Sequence, residues 1–335
     1  MNSLKRIHAA LHFQPHDRVP VIAQVFGHAA MLAGVDLKTY VQDGAVLAAC
    51  QRDALAYYDY DAVFALMDTS VETEAVGSVL DYRTNAYPTV QAYVFAKHDD
   101  LAQLHLPDPQ CDGRMPELLK AIRILRHAVG NEVLVVGCVL GPMTLVCQLM
   151  GLQEALYLAI DAPDQFIQLL DFATRVIIRF GVAQLEAGAH LPIIFDPASC
   201  PEVIPVAFFR ELILPRLKTI CSTFTQAGAI CNWLHIAGRT TPILPFYPEA
   251  GVAIANFDFS VDPASAMQAL PQTCLDGNLK PFAFVDASPA FIADEAQRLL
   301  QCFAQRGGFI LSSGCEIPPE ARPENITALV QAVRS

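Results

Sequence analysis

Short, uninterrupted apolar runs recur along this chain between longer stretches in which apolar residues return every three or four positions. A run of five to eight apolar residues marks a strand covered on both faces, and the longer period marks an amphipathic helix. Residues 18–26, 62–67, 133–139, 191–196, 229–235, 252–257, 273–279 and 309–313 read as strands. Helical periodicity falls on 2–12, 37–58, 115–129, 144–150, 153–187 with a break near Asp161-Ala162-Pro163, 205–227, 240–247, 262–270, 289–306 and 323–334. Gly27 and Gly34 read as opening a loop. Residues 71–97 alternate and are rich in Tyr, Val and Thr, which predicts an inserted β-hairpin turning near Asn85. Pro107 and Pro109 mark a linker.

Strict alternation of strand and helix implies a parallel sheet, because parallel neighbours need a crossover between them. Eight such units with no long linker predict one closed (β/α)₈ TIM barrel over residues 1–335. A short N-terminal helical extension and the inserted β-hairpin complete the expected architecture. An open doubly wound sheet is the rival, but no Gly-x-Gly-x-x-Gly follows an early strand.

Composition narrows the partners. The chain is 53% hydrophobic and 17% charged, enough to bury a large core, and its net charge is −12. An acidic surface argues against nucleic acid and against an anionic membrane, both of which select basic faces. The ten cysteines include no Cys-x-x-Cys pair and sit mostly among apolar neighbours, the setting of reduced, buried thiols. No apolar h-region opens the chain and no run of about 18 apolar residues follows. The expectation is a cytoplasmic protein acting on a small molecule.

In a barrel of this kind the active site forms where the strands end. The predicted strand ends carry Asp196, His235, Asp258, Asn278 and Cys315, with Glu72 and Glu74 just beyond the second strand. Each has a plainer reading. His235 can be a hydrogen-bonded wall residue, Cys315 a small core residue, and Asp196 and Asp258 turn caps. Glu72 and Glu74, on one face of an extended segment, can be a solvated hairpin edge.

Several motifs together resemble the uroporphyrinogen decarboxylase-like superfamily, and within it the methylcorrinoid:coenzyme M methyltransferase branch. They are Val71-Glu72-Thr73-Glu74-Ala75-Val76-Gly77, Gly141-Pro142-Met143-Thr144-Leu145 and Phe195-Asp196-Pro197-Ala198-Ser199 with Phe208-Phe209-Arg210-Glu211 and Leu214-Pro215. Leu234-His235-Ile236-Ala237-Gly238 with Thr240-Thr241-Pro242-Ile243-Leu244, and Ser313-Gly314-Cys315-Glu316-Ile317-Pro318-Pro319 with Pro323-Glu324-Asn325-Ile326, continue the series. The resemblance spans almost the whole chain. It implies a barrel enzyme that moves a methyl group between a corrinoid-binding protein and a small thiol or pterin. It also implies zinc, held in that branch by a His-x-Cys after one strand and a Cys after the last, which holds the acceptor thiol as a thiolate.

His235 and Cys315 fall on two of those metal positions, and Ala237 stands at the third. Asp196 or Glu74 is the expected substitute. Cys231 shares a strand face with His235 but lies about 13 Å away along it. Placement at the strand ends makes His235, Asp196 and Glu74 the expected catalytic residues and Asp258, Asn278 and Glu72 the expected substrate-binding ones, and the resemblance assigns His235 and Cys315 to metal. The decarboxylase branch holds its polycarboxylate substrate with arginines near the N-terminus. Here the matching stretch, Val19 to His28, has none after Arg18. A metal-independent decarboxylase or lyase, in which Asp196 and Glu74 do acid–base work, is one alternative. A non-catalytic homologue that binds a corrinoid protein is the other.

Overall fold

A computed structural model describes residues 1–96 and 101–334. In chain order the strands are β1 (Val21–Ile22), β2 (Ala62–Phe64), β3 (Val79–Arg83), β4 (Ala86–Ala92), β5 (Leu134–Leu140), β6 (Leu191–Phe195), β7 (Trp233–His235), β8 (Ile254–Asn256), β9 (Cys274–Leu279) and β10 (Phe309–Ser313). Eight of them form one parallel sheet in the order β1-β10-β9-β8-β7-β6-β5-β2, and β3 and β4 pair as an antiparallel hairpin. The result is a (β/α)₈ barrel with helices between the strands.

The ring closes at β1 and β2 without a ladder. The Asp61 amide donates to the Val21 carbonyl at 2.8 Å, and the Val21 amide donates to the Asp61 carboxylate at 2.8 Å. Asp61 is fully buried and also accepts from Arg6 at 2.6 Å and Arg18 at 2.7 Å. A buried carboxylate is tolerable only when its oxygens are filled in this way. The N-terminal helix Ser3–Leu11, capped by the Asn2 side chain, brings Arg6 there. It also sends Ile7 and Ala10 into the cluster that fills the barrel, so the extension plugs the end opposite the strand C-termini.

Successive strand residues face opposite ways. Ile22, Phe64, Val136, Ile193, Trp233, Ile254 and Ile310 fill the interior, while Val63, Val135, Ile194, Leu234, Ala255, Leu275 and Leu311 pack beneath the helices. Gly44 permits one close helix pair: a Cβ there would lie 1.9 Å from the Glu117 carbonyl oxygen.

Several expectations change. Gly27 opens a helix, Gly27–Leu32, rather than a loop, and the stretch 37–58 splits into Leu37–Tyr40 and Gly44–Tyr58, each capped by an aspartate, Asp36 and Asp43. The segment 71–97 is not extended throughout. Val71–Val76 is a helix ended by Gly77 at φ +124°, and only Val79–Ala92 is hairpin. Its last predicted residue, Lys97, lies outside the described residues. The helix at 205–227 contains a π-helical stretch, Phe209–Ile213, just before Pro215. Proline has no N–H to return to the carbonyl four residues back, and the wider turn follows from that.

Candidate active site

The strand C-termini surround a pocket of about 170 Å³. Phe26, Phe195 and His235 meet in it, with Leu66, Pro88 and Pro197 as apolar walls. Phe26 and Phe195 stand edge to face at 6.1 Å, and His235 leans on Phe195 at 4.7 Å between ring centroids. The polar lining consists of Asp68, Thr69, Tyr87, His235, Cys315 and Glu316.

β7 ends at His235 and delivers it to the pocket; β10 ends at Ser313, and Gly314 turns the chain to place Cys315 and Glu316 there. Gly314 is required by contact. A Cβ on it would lie 2.5 Å from the Phe259 amide nitrogen. His235 and Cys315, 80 positions apart in sequence, therefore line one cavity, and Ala237 lines it with them.

His235 is 1% exposed, and neither ring nitrogen has a hydrogen-bond partner among the described residues. Burial disfavours the imidazolium and lowers its pKa to about 4, with the nearby Asp258 charge pulling the other way. The ring is neutral at physiological pH and keeps a free lone pair. Burial also pushes the Cys315 thiol up to about 11, with the neighbouring carboxylates Glu316 and Asp258 adding to it. It is a thiol, not a thiolate, in the protein as it stands.

Glu316, next to Cys315 in the motif after the last strand, has no expected role from the sequence, yet the structure puts it on the pocket wall. Its Oε1 accepts from the Tyr87 hydroxyl and, at 3.4 Å, from the Gly27 amide. Burial raises it to about 7 against those two bonds. Tyr87 comes from the hairpin, which therefore leans over the mouth. Asp68 was also unforeseen. It pairs with the buried Arg114, which donates as well to Glu74 at 2.7 Å. Tyr82 gives its hydroxyl to the other Glu74 oxygen at 2.6 Å.

The remaining predicted residues lie outside this lining. Asp196 is fully buried and accepts from the Thr144 amide and hydroxyl, both at 2.8 Å, and from the Ser199 hydroxyl at 2.5 Å. It abuts Gly141 so closely that a Cβ there would lie 2.2 Å from its carboxyl carbon. Glu72 sits on the helix Val71–Val76, accepts from the Leu140 amide at 2.8 Å, and is raised by burial to about 7. Because this segment is helical, Glu72 and Glu74 diverge instead of sharing a face. Asp258 accepts from the Ser260 amide at 2.8 Å. Asn278 donates to the Asp258 and Val261 carbonyls at 3.1 and 2.9 Å, and lines a separate cleft with Asp262 and Lys280.

Among the described residues, no three His, Cys, Asp or Glu side chains gather as metal ligands. The unpartnered imidazole of His235 suits a metal, and Cys315 faces the same space, but Ala237 supplies no donor and the Asp196 and Glu74 oxygens are engaged elsewhere. The expected zinc centre is therefore one protein donor short of the usual three.

The uroporphyrinogen decarboxylase (URO-D) family profile matches residues 2–335. The methylcobamide:CoM methyltransferase MtaA of Methanosarcina barkeri is 29% identical over 335 residues, covering 98% of this chain and 96% of its own. The uroporphyrinogen decarboxylase of Magnetococcus marinus is 26% identical, covering 100% and 97%. Among solved structures, a methyltransferase from Methanosarcina mazei superposes with a TM-score of 0.91 at 27% identity, over 100% of this chain and 98% of that one.

Proposed function

From the premise that the chain belongs to the uroporphyrinogen decarboxylase family, we propose that it is a corrinoid-dependent methyltransferase, carrying a methyl group between a corrinoid-binding protein and a small thiol or pterin acceptor. The observation that carries this reading is the pairing of a neutral, unpartnered His235 with Cys315 on one apolar-walled pocket at the strand ends. The methyltransferases among its relatives, and the fold shared with one of them, support it.

With a thiol acceptor, His235 takes the S–H proton into its free ring nitrogen and leaves the sulfur as a thiolate beside an imidazolium. Each charge offsets the burial cost of the other, as in other activated thiols. The sulfur then displaces the methyl group in line. The corrinoid supplies a cobalt-bound methyl and keeps the bonding electron pair as the methyl departs. Phe26, Phe195 and Leu66 exclude water from the sulfur. Asp196 acts by position: through Thr144 and Ser199 it fixes the ends of β5 and β6. Glu74, through Arg114, fixes Asp68 on the wall. Asp258 biases the charge of His235, and Asn278 holds the loop that carries Asp258. Glu72 fastens the C-terminal end of β5. Zinc, which the family resemblance implies, would find His235 and Cys315 as its protein donors. With Ala237 beside them that pair is incomplete, and no step here runs through a metal.

The test is transfer from methylcobalamin, or from a methylated corrinoid protein, to a panel of thiols and a reduced pterin, followed by the cobalamin spectrum and by mass analysis of the acceptor. His235→Ala is expected to lower the rate on the order of 10²–10⁴-fold. Release of carbon dioxide from a carboxylated tetrapyrrole, with no methyl transfer to any acceptor, would instead support the decarboxylase alternative.

A further inference from the structure

The charge of the pocket carries a statement about what enters it. Two carboxyl groups, Asp68 and Glu316, line it among apolar walls, and among the described residues of the lining there is no lysine or arginine; the one basic group, the His235 imidazole, is held neutral by burial. The cation behind Asp68 has nothing left to offer a ligand: Arg114 gives its nitrogens to Glu74, Asp68, Ser70 and the Val41 carbonyl. The Arg114 pairing offsets the charge of Asp68, so Glu316 is the carboxyl with an unmatched charge. Its Oε1 is taken by Tyr87 and Gly27, and among the described residues Oε2 has no hydrogen-bond partner. A carboxylate oxygen accepts and never donates when ionised.

We propose that Glu316 sets the acceptor class: the pocket takes a small uncharged thiol bearing an N–H or O–H donor, and refuses a thiol that carries an anionic group. This rests on the methyl-transfer reading above and deepens it. A donor on the acceptor bonds to Glu316 Oε2 while the sulfur lies toward His235. An anionic end group beside Glu316 loses its water, meets a like charge, and finds no lysine or arginine in the lining to offset either loss. The coenzyme M named for the relatives at 25–29% identity is an anionic thiol of the refused kind. At about 170 Å³ the cavity also favours a molecule of few heavy atoms.

The test uses two thiols of nearly equal shape, 3-mercaptopropionamide and 3-mercaptopropionate, titrated calorimetrically into the full chain at pH 8, and each then offered methylcobalamin. The amide is expected to bind more tightly by on the order of tenfold or more. Glu316→Gln, which keeps an acceptor for Tyr87 but removes the charge, is expected to bring the two thiols to within a few-fold of each other. Equal affinities in the wild type, tighter binding of the carboxylate, or binding of neither thiol overturns the proposal. An amide preference that persists undiminished in a folded Glu316→Gln variant also overturns it, since Glu316 is then not the source. If the amide binds selectively but neither thiol is methylated, the transferase reading fails and the charge selection stands, so the two failures are distinguishable.

Discussion

Tyr87, from a hairpin that lies outside the barrel sheet, donates its hydroxyl to Glu316, which follows the last barrel strand 229 positions later. The Gly27 amide donates to the same tyrosine oxygen at 2.8 Å. Three segments far apart in the sequence are thus joined at one carboxyl oxygen on the pocket wall. The bond both latches the hairpin over the mouth and opposes the effect of burial on Glu316.

Tyr87→Phe removes that donor while keeping the ring. With burial unopposed by the hydroxyl, Glu316 is expected to titrate above its present value of about 7. The acceptor discrimination that depends on its ionised form then appears at higher pH. A pH series of the amide-to-carboxylate affinity ratio reads this directly. A midpoint that stays in place or moves down would show that the hydroxyl does not set the acidity of Glu316.

Much of this arrangement is visible in the sequence, for a physical reason. Strands buried on both faces in a parallel sheet are nearly continuous apolar runs, so Phe309–Ser313 and Leu191–Phe195 are found almost to the residue, and the polar positions after them mark the barrel mouth. The helix Val71–Val76 is hidden because six residues hold fewer than two turns, too short for a 3.6-residue period to show, and β-branched Val and Thr favour a strand reading. That error put Glu72 and Glu74 on one face, whereas one fastens β5 and the other grips Arg114. Asp68, Tyr87 and Glu316 carry no local signal of their own. The meaning of Tyr87 and Glu316 lies in a contact between the hairpin and the chain after β10, and that of Asp68 in its pairing with Arg114, 46 positions on; no spacing rule reports contacts of that range.

Glu72 provides a stability test independent of any ligand. It is fully enclosed, and burial raises it to about 7 from an ordinary value of 4.5. Between those values the folded state holds a proton that the unfolded state has released, so the contribution of this group to stability falls as pH rises through that window. Glu72→Gln keeps an oxygen for the Leu140 amide and cannot ionise. The melting temperature of the variant minus that of the wild type is expected to grow from pH 4.5 to pH 7 and then level off. A difference that shrinks over that range would mean the carboxylate form is the favoured one in the fold.

Gly314→Ala tests whether the turn after β10 is set by contact. The added methyl would lie 2.5 Å from the Phe259 amide nitrogen and 3.2 Å from the Asp258 carbonyl carbon, both backbone atoms that cannot rotate away. The chain after β10 must shift, taking Cys315 and Glu316 with it. Overpacking of this kind destabilises by about 1–3 kcal/mol. Acceptor binding is expected to fall further than the melting temperature alone predicts, because both pocket residues move. Calorimetric binding beside a denaturant titration separates the two effects, and a variant with native binding and native stability would refute the close contact.

Ala237→Cys tests the metal geometry. Ala237 lines the same pocket as His235 and Cys315, two positions beyond the imidazole, so a thiol placed there joins a nitrogen with no hydrogen-bond partner and a second thiol. Zinc usually takes three protein donors and one exchangeable position. Both thiols must lose their protons, and burial holds Cys315 near 11, so the gain comes only if the ion itself stabilises the two thiolates. The variant is expected to bind zinc stoichiometrically, at least roughly tenfold more tightly than the wild type, releasing the thiol protons as it binds, so that its affinity weakens as pH falls. Metal analysis after gel filtration, with a competing chelator to set the scale, measures it. Zinc binding in the variant no tighter than in the wild type would show that the three positions do not converge closely enough to share one ion. Binding lost again on adding His235→Ala would tie the gained site to that imidazole.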